Sequence, residues 1–237
     1  MTPSVLYRDE AVLVIDKPAG LPVHRGPRGG PSVEDWLEAL RFGKRRLPQP
    51  AHRLDADTAG CLVLGRTRPA LAALGRAFAE GAVEKVYWAV VRGGPEGEAG
   101  EIALPLAKRS SRAAGWRMVV DPAGQAAVTL WRVLGRGGGR VWLELRPRTG
   151  RTHQLRVHCA AMGWPILGDV VYGGAEPGGL ALLARSVAIP SLGVAAEAPV
   201  PRRLEALGMG GGGRERIDAA SLAGGPATRD PSPMRTI

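Results

Sequence analysis

Two polar segments hold most of the side chains that could carry out chemistry. The first spans 52–60, with the sequence HRLDADTAG, and precedes a predicted strand. Its acid Asp55 is therefore expected at the rim of a sheet, where functional sites tend to lie. The second spans 148–156, with the sequence RTGRTHQLR, and leads into a predicted helix. A capped turn and a solvated helix start would each explain one of these segments taken alone.

Several common catalytic and metal-binding patterns find no support in the sequence. It has no G-x-x-x-x-G-K-[ST] phosphate loop and no G-x-S-x-G nucleophile motif. His153 and His158 are five residues apart, about 140° around a helix, so one face cannot offer both to a metal. The run from His52 to Asp55 is loosely similar to a kinase catalytic loop, but the Gly-rich loop and D-F-G motif are missing. We therefore expect no metal and no nucleotide cofactor.

The charge of the chain indicates a polyanionic partner. The 237 residues include 32 Lys+Arg against 22 Asp+Glu, a net charge of +10. GC-rich coding would explain why 28 of these cations are Arg and only 4 are Lys, but it would not explain the net charge. Nucleic acid is the first candidate for such a partner.

The positive charge is concentrated in two stretches of the chain. Residues 41–53 carry five cations and no acid, and residues 136–156 carry six Arg and one Glu. These stretches could meet in space as one electropositive wall. Two independently solvated loops are the alternative.

The composition predicts one globular domain with a short tail. Apolar residues make up 45% and charged residues 23%, which is typical of a chain with a real core. No apolar run reaches the roughly 18 residues of a membrane span, the N-terminus does not resemble a signal peptide, and two cysteines are too few for a disulfide framework. A cytoplasmic monomer is the default expectation. The domain is expected over 1–207, and the Gly/Pro-rich segment 208–237 is expected to be disordered.

Periodicity and turn residues predict a mixture of strands and helices. Strands are predicted over 11–16, 61–66, 84–92, 126–134, 140–146 and 182–189. Helices are predicted over 33–41 after Ser32, over 71–80 after Pro69, and over 152–162, ending at Gly163. The loop 135–139 is expected to join two strands as a hairpin.

Five segments together resemble one known family. HRLDADTAG resembles H-R-L-D-x-x-T-S-G, the signature of the RluA-type pseudouridine synthases. In order along the chain, the segments 9–24, 79–93, 146–169 and 184–201 resemble the other conserved segments of that family, so the resemblance covers about residues 5–205. The chain departs from the family pattern at Ala56, Ala59, Gln125 and Leu183, positions that bear on substrate preference.

The resemblance implies a fold, a reaction and a set of catalytic residues. The fold would be α+β, with a mixed, mostly antiparallel sheet flanked by helices and loops. The reaction would isomerise uridine in RNA without a cofactor. Asp55 would be the catalytic carboxylate, acting either on C1′ or by proton abstraction, and Arg156 would favour its charged form. Tyr87 would be the active-site tyrosine, and Leu155 would pack against the base.

The same resemblance suggests how RNA would be held. A uridine in a stem must be flipped out to react, and Arg53 is suited to fill the space it leaves. His52, Lys17 and Arg151 are further candidates for RNA binding. The RNA would be tRNA or large-subunit rRNA. A catalytically silent RNA-binding domain on the same fold is the alternative, and an unrelated basic enzyme such as a nuclease is disfavoured because no cluster of metal-binding carboxylates is evident.

Overall fold

The computed structural model describes residues 3–27, 29–111, 115–174 and 177–208. The strands in this part of the chain are β1 Val5–Arg8, β2 Val12–Lys17, β3 Gln49–Pro50, β4 Ala59–Gly65, β5 Glu84–Arg92, β6 Ala99–Ala103, β7 Leu106–Ser111, β8 Gly115–Val120, β9 Val128–Gly137, β10 Arg140–Pro147, β11 Leu182–Ile189 and β12 Val194–Glu197. The α-helices are α1 Arg68–Ala79, α2 Gln154–Ala161 and α3 Arg202–Glu205, and short 3-10 helices cover Val33–Trp36, Ala39–Arg41 and Pro190–Leu192.

One large sheet organises these elements. Its strands follow the order β1-β2-β4-β11-β5-β10-β9-β6, with β3 paired to β4 and β12 paired to β11. Strands β4 and β11 run parallel, and the other pairings in the described residues are antiparallel. Strands β7 and β8 form a separate two-stranded hairpin. The expectation of an α+β fold with a mixed, mostly antiparallel sheet flanked by helices and loops is confirmed.

The central strands are buried on both faces, which explains their unbroken apolar sequences. In β2, Val12 and Val14 belong to one apolar cluster, whereas Leu13 and Ile15 belong to a second cluster on the opposite face. Strand β4 divides its residues between the same two clusters. A strand covered on both sides loses the alternation of apolar and polar residues that marks a half-exposed strand.

Most predicted elements are found, but the helix predicted over 33–41 is wrong. The segment forms two short 3-10 helices, and Phe42 ends the second in the left-handed conformation, with φ 46°. Val33, Leu37 and Leu40 are buried in one cluster with residues of β2 and β4, so tertiary packing decides the backbone here. The Asp35 carboxylate does accept the backbone N–H of Ser32, as the capping pattern predicts.

The loop predicted over 135–139 is also shorter than expected. Strand β9 continues to Gly137, and only Gly138 and Gly139, both with positive φ, lie between it and β10. This is the geometry of a two-residue hairpin turn, which glycine adopts without steric cost. Six strands of the described residues were not predicted, and each is six residues long or shorter, which leaves little room for a clear periodicity: β1, β3, β6, β7, β8 and β12.

No helix in the described ranges is long and apolar enough to cross a membrane. The tail predicted to be disordered lies outside the described residues, apart from Gly208. Just before it, the indole N–H of Trp142 on β10 donates to the carbonyl of Leu207, 3.0 Å away, which ties this end of the chain to the sheet.

Candidate active site

Asp55 lies in a loop that is fastened to its surroundings before it enters β4. The backbone N–H of Thr58 donates to the Asp55 carbonyl at 3.1 Å, which closes a tight turn around the acid. The carbonyl of Ala56 accepts two further bonds, from the N–H of Gly20 and from the ammonium of Lys17, each at 2.9 Å. The loop is therefore anchored to the residues that follow β2, and the carboxyl group of Asp55 is held in a defined place.

Lys17 does not line the pocket, where the sequence had suggested it as an RNA-binding residue. Its side chain is fully buried, and its ammonium donates to the carbonyls of Pro18, Leu21 and Ala56 at 2.8–2.9 Å. Burial lowers the pKa of Lys17 to about 8, against the opposing influence of nearby acids that include Asp57 and Asp55. A lysine whose three N–H donors all bond to backbone carbonyls holds the loop that carries Asp55 in position.

The second residue of β4, directly after this loop, must be glycine. Gly60 has φ 107°, and a Cβ atom at this position would lie 2.2 Å from the carbonyl oxygen of Ala184 on β11. The same Ala184 is the register partner of Tyr87 on β5. Gly60 therefore lets the Asp55 loop enter the sheet beside the strand that carries Tyr87.

A pocket of about 480 Å³ opens around Asp55. Its wall brings together residues far apart in the sequence, from the Asp55 loop, from β5 and from the segment that leads into α2. It includes seven of the residues predicted from the sequence and also cations that the sequence had not singled out. The predicted residues are His52, Arg53, Asp55, Tyr87, Arg151, Leu155 and Arg156, and the additional cations are Lys85 and Arg148.

Arg156 joins two carboxylates into one buried unit. Its Nη1 donates to Oδ2 of Asp55 at 3.3 Å. Its Nε donates to Oδ2 of Asp169 and its Nη2 donates to Oδ1 of Asp169, each at 2.8 Å. The pairing of Arg156 with Asp55 is as expected, but Asp169 is an additional partner. Burial by itself would lower the pKa of Arg156, yet the hydrogen bonds and charge of Asp169, with the charge of Asp55, raise it above its ordinary value.

Asp169 is a functional candidate that the sequence reasoning missed. It is almost fully buried and also accepts the backbone N–H groups of Val171 and Tyr172. Burial would raise the pKa of Asp169, but the hydrogen bonds from Arg156 and these amides lower it overall. Asp169 is the last residue of segment 146–169, one of the segments that resemble the family. It directly follows Gly168, where a Cβ would lie 2.1 Å from a backbone oxygen. This pair of a glycine and an acid is the sequence feature that could have identified Asp169 as a candidate.

Tyr87 and Leu155 provide the apolar part of the pocket. Tyr87 lies on β5 and packs against both apolar clusters of the sheet. Burial raises the pKa of the Tyr87 phenol above its ordinary value, and the charge of Asp55 acts in the same direction. The hydroxyl is therefore protonated at neutral pH. Leu155, in the first turn of α2, is 7% exposed and lines the same pocket.

His153 is a second residue beside the acid that the sequence reasoning passed over. Its Nε2 lies 3.8 Å from Oδ2 of Asp55, and its Nδ1 lies 2.9 Å from the hydroxyl of Tyr172. The residue has φ 53°, an unusual left-handed conformation for a residue that is not glycine. Burial lowers the pKa of His153, so the imidazole is mainly neutral at pH 7. Backbone strain of this kind is common where a side chain must reach a site.

His52 lies at the pocket wall, and its ring makes contacts within the protein. Its Nε2 accepts the backbone N–H of Val63 at 3.0 Å, and its ring stacks on Phe78 with centroids 4.6 Å apart. Burial lowers the pKa of His52 to about 4, which keeps the ring neutral. These contacts join the start of the Asp55 loop to β4 and α1.

A second network holds the loop between β10 and α2. Gln154 is buried, and its side-chain oxygen accepts from the hydroxyl of Thr149 and from the N–H of Arg151. Its amide nitrogen donates to the Val128 carbonyl and to the hydroxyl of Thr129 on β9. The loop that presents Arg148 and Arg151 to the pocket is thereby tied to the sheet.

The two cationic stretches meet at their C-terminal ends. Arg53 and the residues Arg148, Arg151 and Arg156 reach the same pocket. Two other cations of these stretches form ion pairs away from the pocket, Arg41 with Glu38 and Arg136 with Glu98. The expectation that the two stretches meet in space holds for these four arginines.

Comparisons with known proteins identify the family of this chain. The family model described as RNA pseudouridylate synthase matches residues 11–161. A Zymomonas mobilis protein named as an uncharacterized RNA pseudouridine synthase is 46% identical over 212 residues, covering 86% of this chain and 97% of that one. Ribosomal large subunit pseudouridine synthase D of the same organism is 37% identical over 188 residues, covering 76% of this chain and 58% of its own.

A solved structure leads to the same family. Human RNA Pseudouridylate Synthase Domain Containing 4 superposes with a TM-score of 0.71 at 29% identity, covering 85% of this chain and 93% of its own. The shared architecture is the sheet-dominated α+β fold described above. The chain belongs to the RNA pseudouridylate synthase family, a family of isomerases.

Proposed function

We propose that this protein converts particular uridines of structured RNA, either tRNA or large-subunit rRNA, to pseudouridine with Asp55 as the catalytic carboxylate. One observation carries the proposal: Asp55 faces a cationic pocket, and its partner Arg156 is held on its other side by the buried Asp169. Such a fixed carboxylate suits nucleophilic or proton-transfer chemistry in a partly dry site.

The reaction is an isomerisation whose atoms balance without a second substrate. The bond from N1 of uracil to C1′ breaks, the detached uracil turns, and a bond from C5 to C1′ forms. C5 then loses its proton, and N1 gains one. Asp55 is the group proposed to begin this sequence, by attack on C1′ or by taking a proton.

Tyr87 is proposed to hold the uracil ring while it turns. Tyr87 lines the pocket, and its hydroxyl remains protonated because burial raises its pKa. The phenol can therefore donate a hydrogen bond to the base but is a poor base itself at neutral pH. Leu155 provides an apolar contact for the same ring.

The exposed cations at the pocket are proposed to bind the RNA around the reacting uridine. Arg53 is exposed and lies two residues before Asp55, so its guanidinium can stack in the space that the flipped base leaves. Arg148 and Arg151 lie on the loop fixed by Gln154, where they can pair with phosphates. His52 and Lys17, in contrast, are proposed to position the Asp55 loop without touching RNA.

The class of RNA is part of the proposal, and one relative supports it. One relative bears the name of a large-subunit ribosomal pseudouridine synthase, which supports rRNA as a substrate. tRNA remains the alternative substrate. Action as a monomer in the cytoplasm is proposed on the composition of the chain alone.

The proposal is tested by mapping pseudouridine in total RNA from cells with and without the gene. Carbodiimide labelling followed by primer extension stops at each pseudouridine. We expect one or more stops in tRNA or rRNA to disappear with the gene and to return with the wild-type protein. Complementation with Asp55→Asn should fail to restore them, although the variant should bind RNA about as well as the wild type.

Asp57→Asn provides a matched control for this test. Asp57 lies in the same loop but is exposed and does not line the pocket. This variant should restore every stop. If no stop depends on the gene, the protein is a silent RNA-binding domain and the proposed activity is wrong. If Asp55→Asn restores the stops, the protein is a synthase but the assignment of Asp55 as its catalytic carboxylate is wrong.

A further inference from the structure

The β7–β8 hairpin presents a large aromatic side chain that the fold does not bury. Trp116, on β8, is 46% exposed, among the highest values for large apolar residues in the described part of the chain. The hairpin itself is anchored by other residues, since Leu106 and Met118 are buried against Ala127 and against Val157 of α2. Trp116 lies beyond this anchor, so packing does not explain its size.

Trp116 is in direct contact with the active site. Its ring stacks on His153, with centroids 5.3 Å apart and the planes inclined by 29°. The same His153 ring lies 3.8 Å from the Asp55 carboxylate. On the hairpin, the ammonium of Lys108 lies 4.9 Å from the centre of the Trp116 ring. An aromatic surface with a cation beside it thus begins one side chain away from the catalytic acid.

The other face of the hairpin carries more positive charge. Arg109 of β7 lies directly opposite Arg117 of β8 in the strand register, and both are exposed. Like charges directly opposite each other destabilise a strand pair. Arg109 also contacts Asp121, which offsets only one of the two charges. A nearby polyanion would relieve this repulsion.

We propose that Trp116 is a stacking platform for an unpaired base of the RNA that lies next to the target uridine. This inference rests on the proposed function, because it assumes that RNA enters the pocket at Asp55. The base stacks on the indole ring, and Lys108 moves from the ring to the adjacent phosphate on its flexible stem. Aromatic stacking is tolerant of base identity, so the platform adds affinity for single-stranded RNA and little sequence preference.

The platform is tested by a double-mutant-type cycle of binding measurements, in which the indole ring is removed from the protein and the bases are removed from the RNA, separately and together. The probes are a fluorescein-labelled 12-nucleotide oligouridylate and an abasic strand of the same length and charge, and binding is measured by anisotropy at low salt. Trp116→Ala should weaken binding of the oligouridylate about tenfold and leave binding of the abasic strand unchanged. Trp116→Phe should recover most of the loss.

Two further measurements keep this test decisive. Leu134→Ala removes another exposed apolar side chain, on β9, and should bind both probes as the wild type does. Thermal unfolding of Trp116→Gln, a second variant without an aromatic ring, shows whether its fold is intact; it should lose affinity like the alanine variant.

Equal affinity of the wild type and Trp116→Ala for the oligouridylate would overturn the platform. Equal losses on both probes would also overturn it, because the ring would then act on the phosphates or on the fold. If the wild type binds neither the oligouridylate nor total cellular RNA, the proposed function fails as well.

Discussion

The loop that carries Asp55 and the β7–β8 hairpin both reach His153, yet they are built in opposite ways. The Asp55 loop is fixed by hydrogen bonds to Lys17 and Gly20, and the carboxylate pairs with the buried Arg156. The hairpin is held at its base by a small apolar cluster, and its side chains toward the turn are exposed.

The two regions differ in the way that catalysis and RNA binding would require. A catalytic carboxylate must keep one position, which buried and fully paired neighbours provide. A surface that binds RNA must remain accessible and adjust to its partner, which exposed cations and an aromatic ring on a hairpin can do. Substitutions at the buried network should therefore lower the turnover rate, whereas substitutions at the exposed residues should weaken binding.

The largest effect is expected for Arg156→Ala. Removing the guanidinium leaves two carboxylates facing each other in a site that is mainly buried, so Asp55 loses its hydrogen bond and its position. We expect kcat to fall about 10³-fold, the scale seen when one key electrostatic group is removed from an active site. Single-turnover assays on RNA with tritium at C5 of uridine would measure this, because isomerisation releases that hydrogen.

Arg156→Lys provides the comparison for this prediction. It keeps the charge but cannot bridge Asp55 and Asp169 with a planar fork, so it should remain far below the wild type. Wild-type turnover in Arg156→Ala would show that the acid does not need this partner.

The second effect concerns stability at acid pH. His52 has a pKa of about 4 in the folded protein and about 6.5 when unfolded. Between these values the unfolded chain binds more protons, so acid favours unfolding. The contribution of His52 is complete above pH 6.5 and is lost as the pH falls to 4, which amounts to about 3 kcal/mol at most. Denaturant unfolding of the wild type from pH 7 to pH 4.5 measures the loss.

His52→Gln should show a smaller loss over the same range. A glutamine can still accept the Val63 N–H but does not take up a proton. If the two proteins lose stability in parallel, the acid sensitivity belongs to other groups, and His52 does not bind the loop as a neutral ring.

A smaller effect on turnover is expected for Asp169→Asn. The amide keeps the shape of the carboxylate but removes the charge that holds Arg156, so Arg156 is drawn closer to Asp55 or displaced. Charge-assisted hydrogen bonds contribute about 1.5–3 kcal/mol, which predicts a fall in kcat of about 10- to 100-fold. KM should change little, since Asp169 is buried away from RNA. A rise in KM with unchanged kcat would place Asp169 in RNA binding and contradict its positioning role.

The smallest effect is expected for Arg53→Ala. The exposed guanidinium contributes to holding the RNA open and should cost about tenfold in kcat/KM when removed. RNA binding should also depend less steeply on salt concentration. Arg202→Ala, on the exposed side of α3, should match the wild type in both measurements. Identical behaviour of the Arg53 and Arg202 variants would rule out a particular role for Arg53.

The candidate site was predictable wherever a residue belongs to a continuous segment with its own pattern. Asp55, Tyr87 and Arg156 were each found in such a segment, and the structure brings all three to one pocket. Asp169 and His153 were missed because their importance depends on partners distant in the sequence. Asp169 acts through Arg156, thirteen residues away, and His153 reaches Asp55 through a left-handed backbone that the sequence does not reveal.

The strands of the fold also divide into those that the sequence predicted and those that it did not. Strong apolar runs and turn residues predicted β2, β4, β5 and β11 with nearly correct bounds. The six-residue strands of the β7–β8 hairpin were missed, because segments this short carry little local pattern and the hairpin is anchored by an apolar cluster with Ala127 and Val157.

The amino-acid sequence by itself determined the family resemblance, the excess of positive charge and the choice of Asp55 as the candidate carboxylate, because these depend on residue types and their order. Only the tertiary structure decided which groups surround that carboxylate. It buried Lys17 beneath the loop, committed His52 to β4, added Asp169 behind Arg156 and set Trp116 against His153. The physical reason is that burial and partners in space decide whether a charged or aromatic side chain positions a loop, holds an acid or remains free to contact RNA.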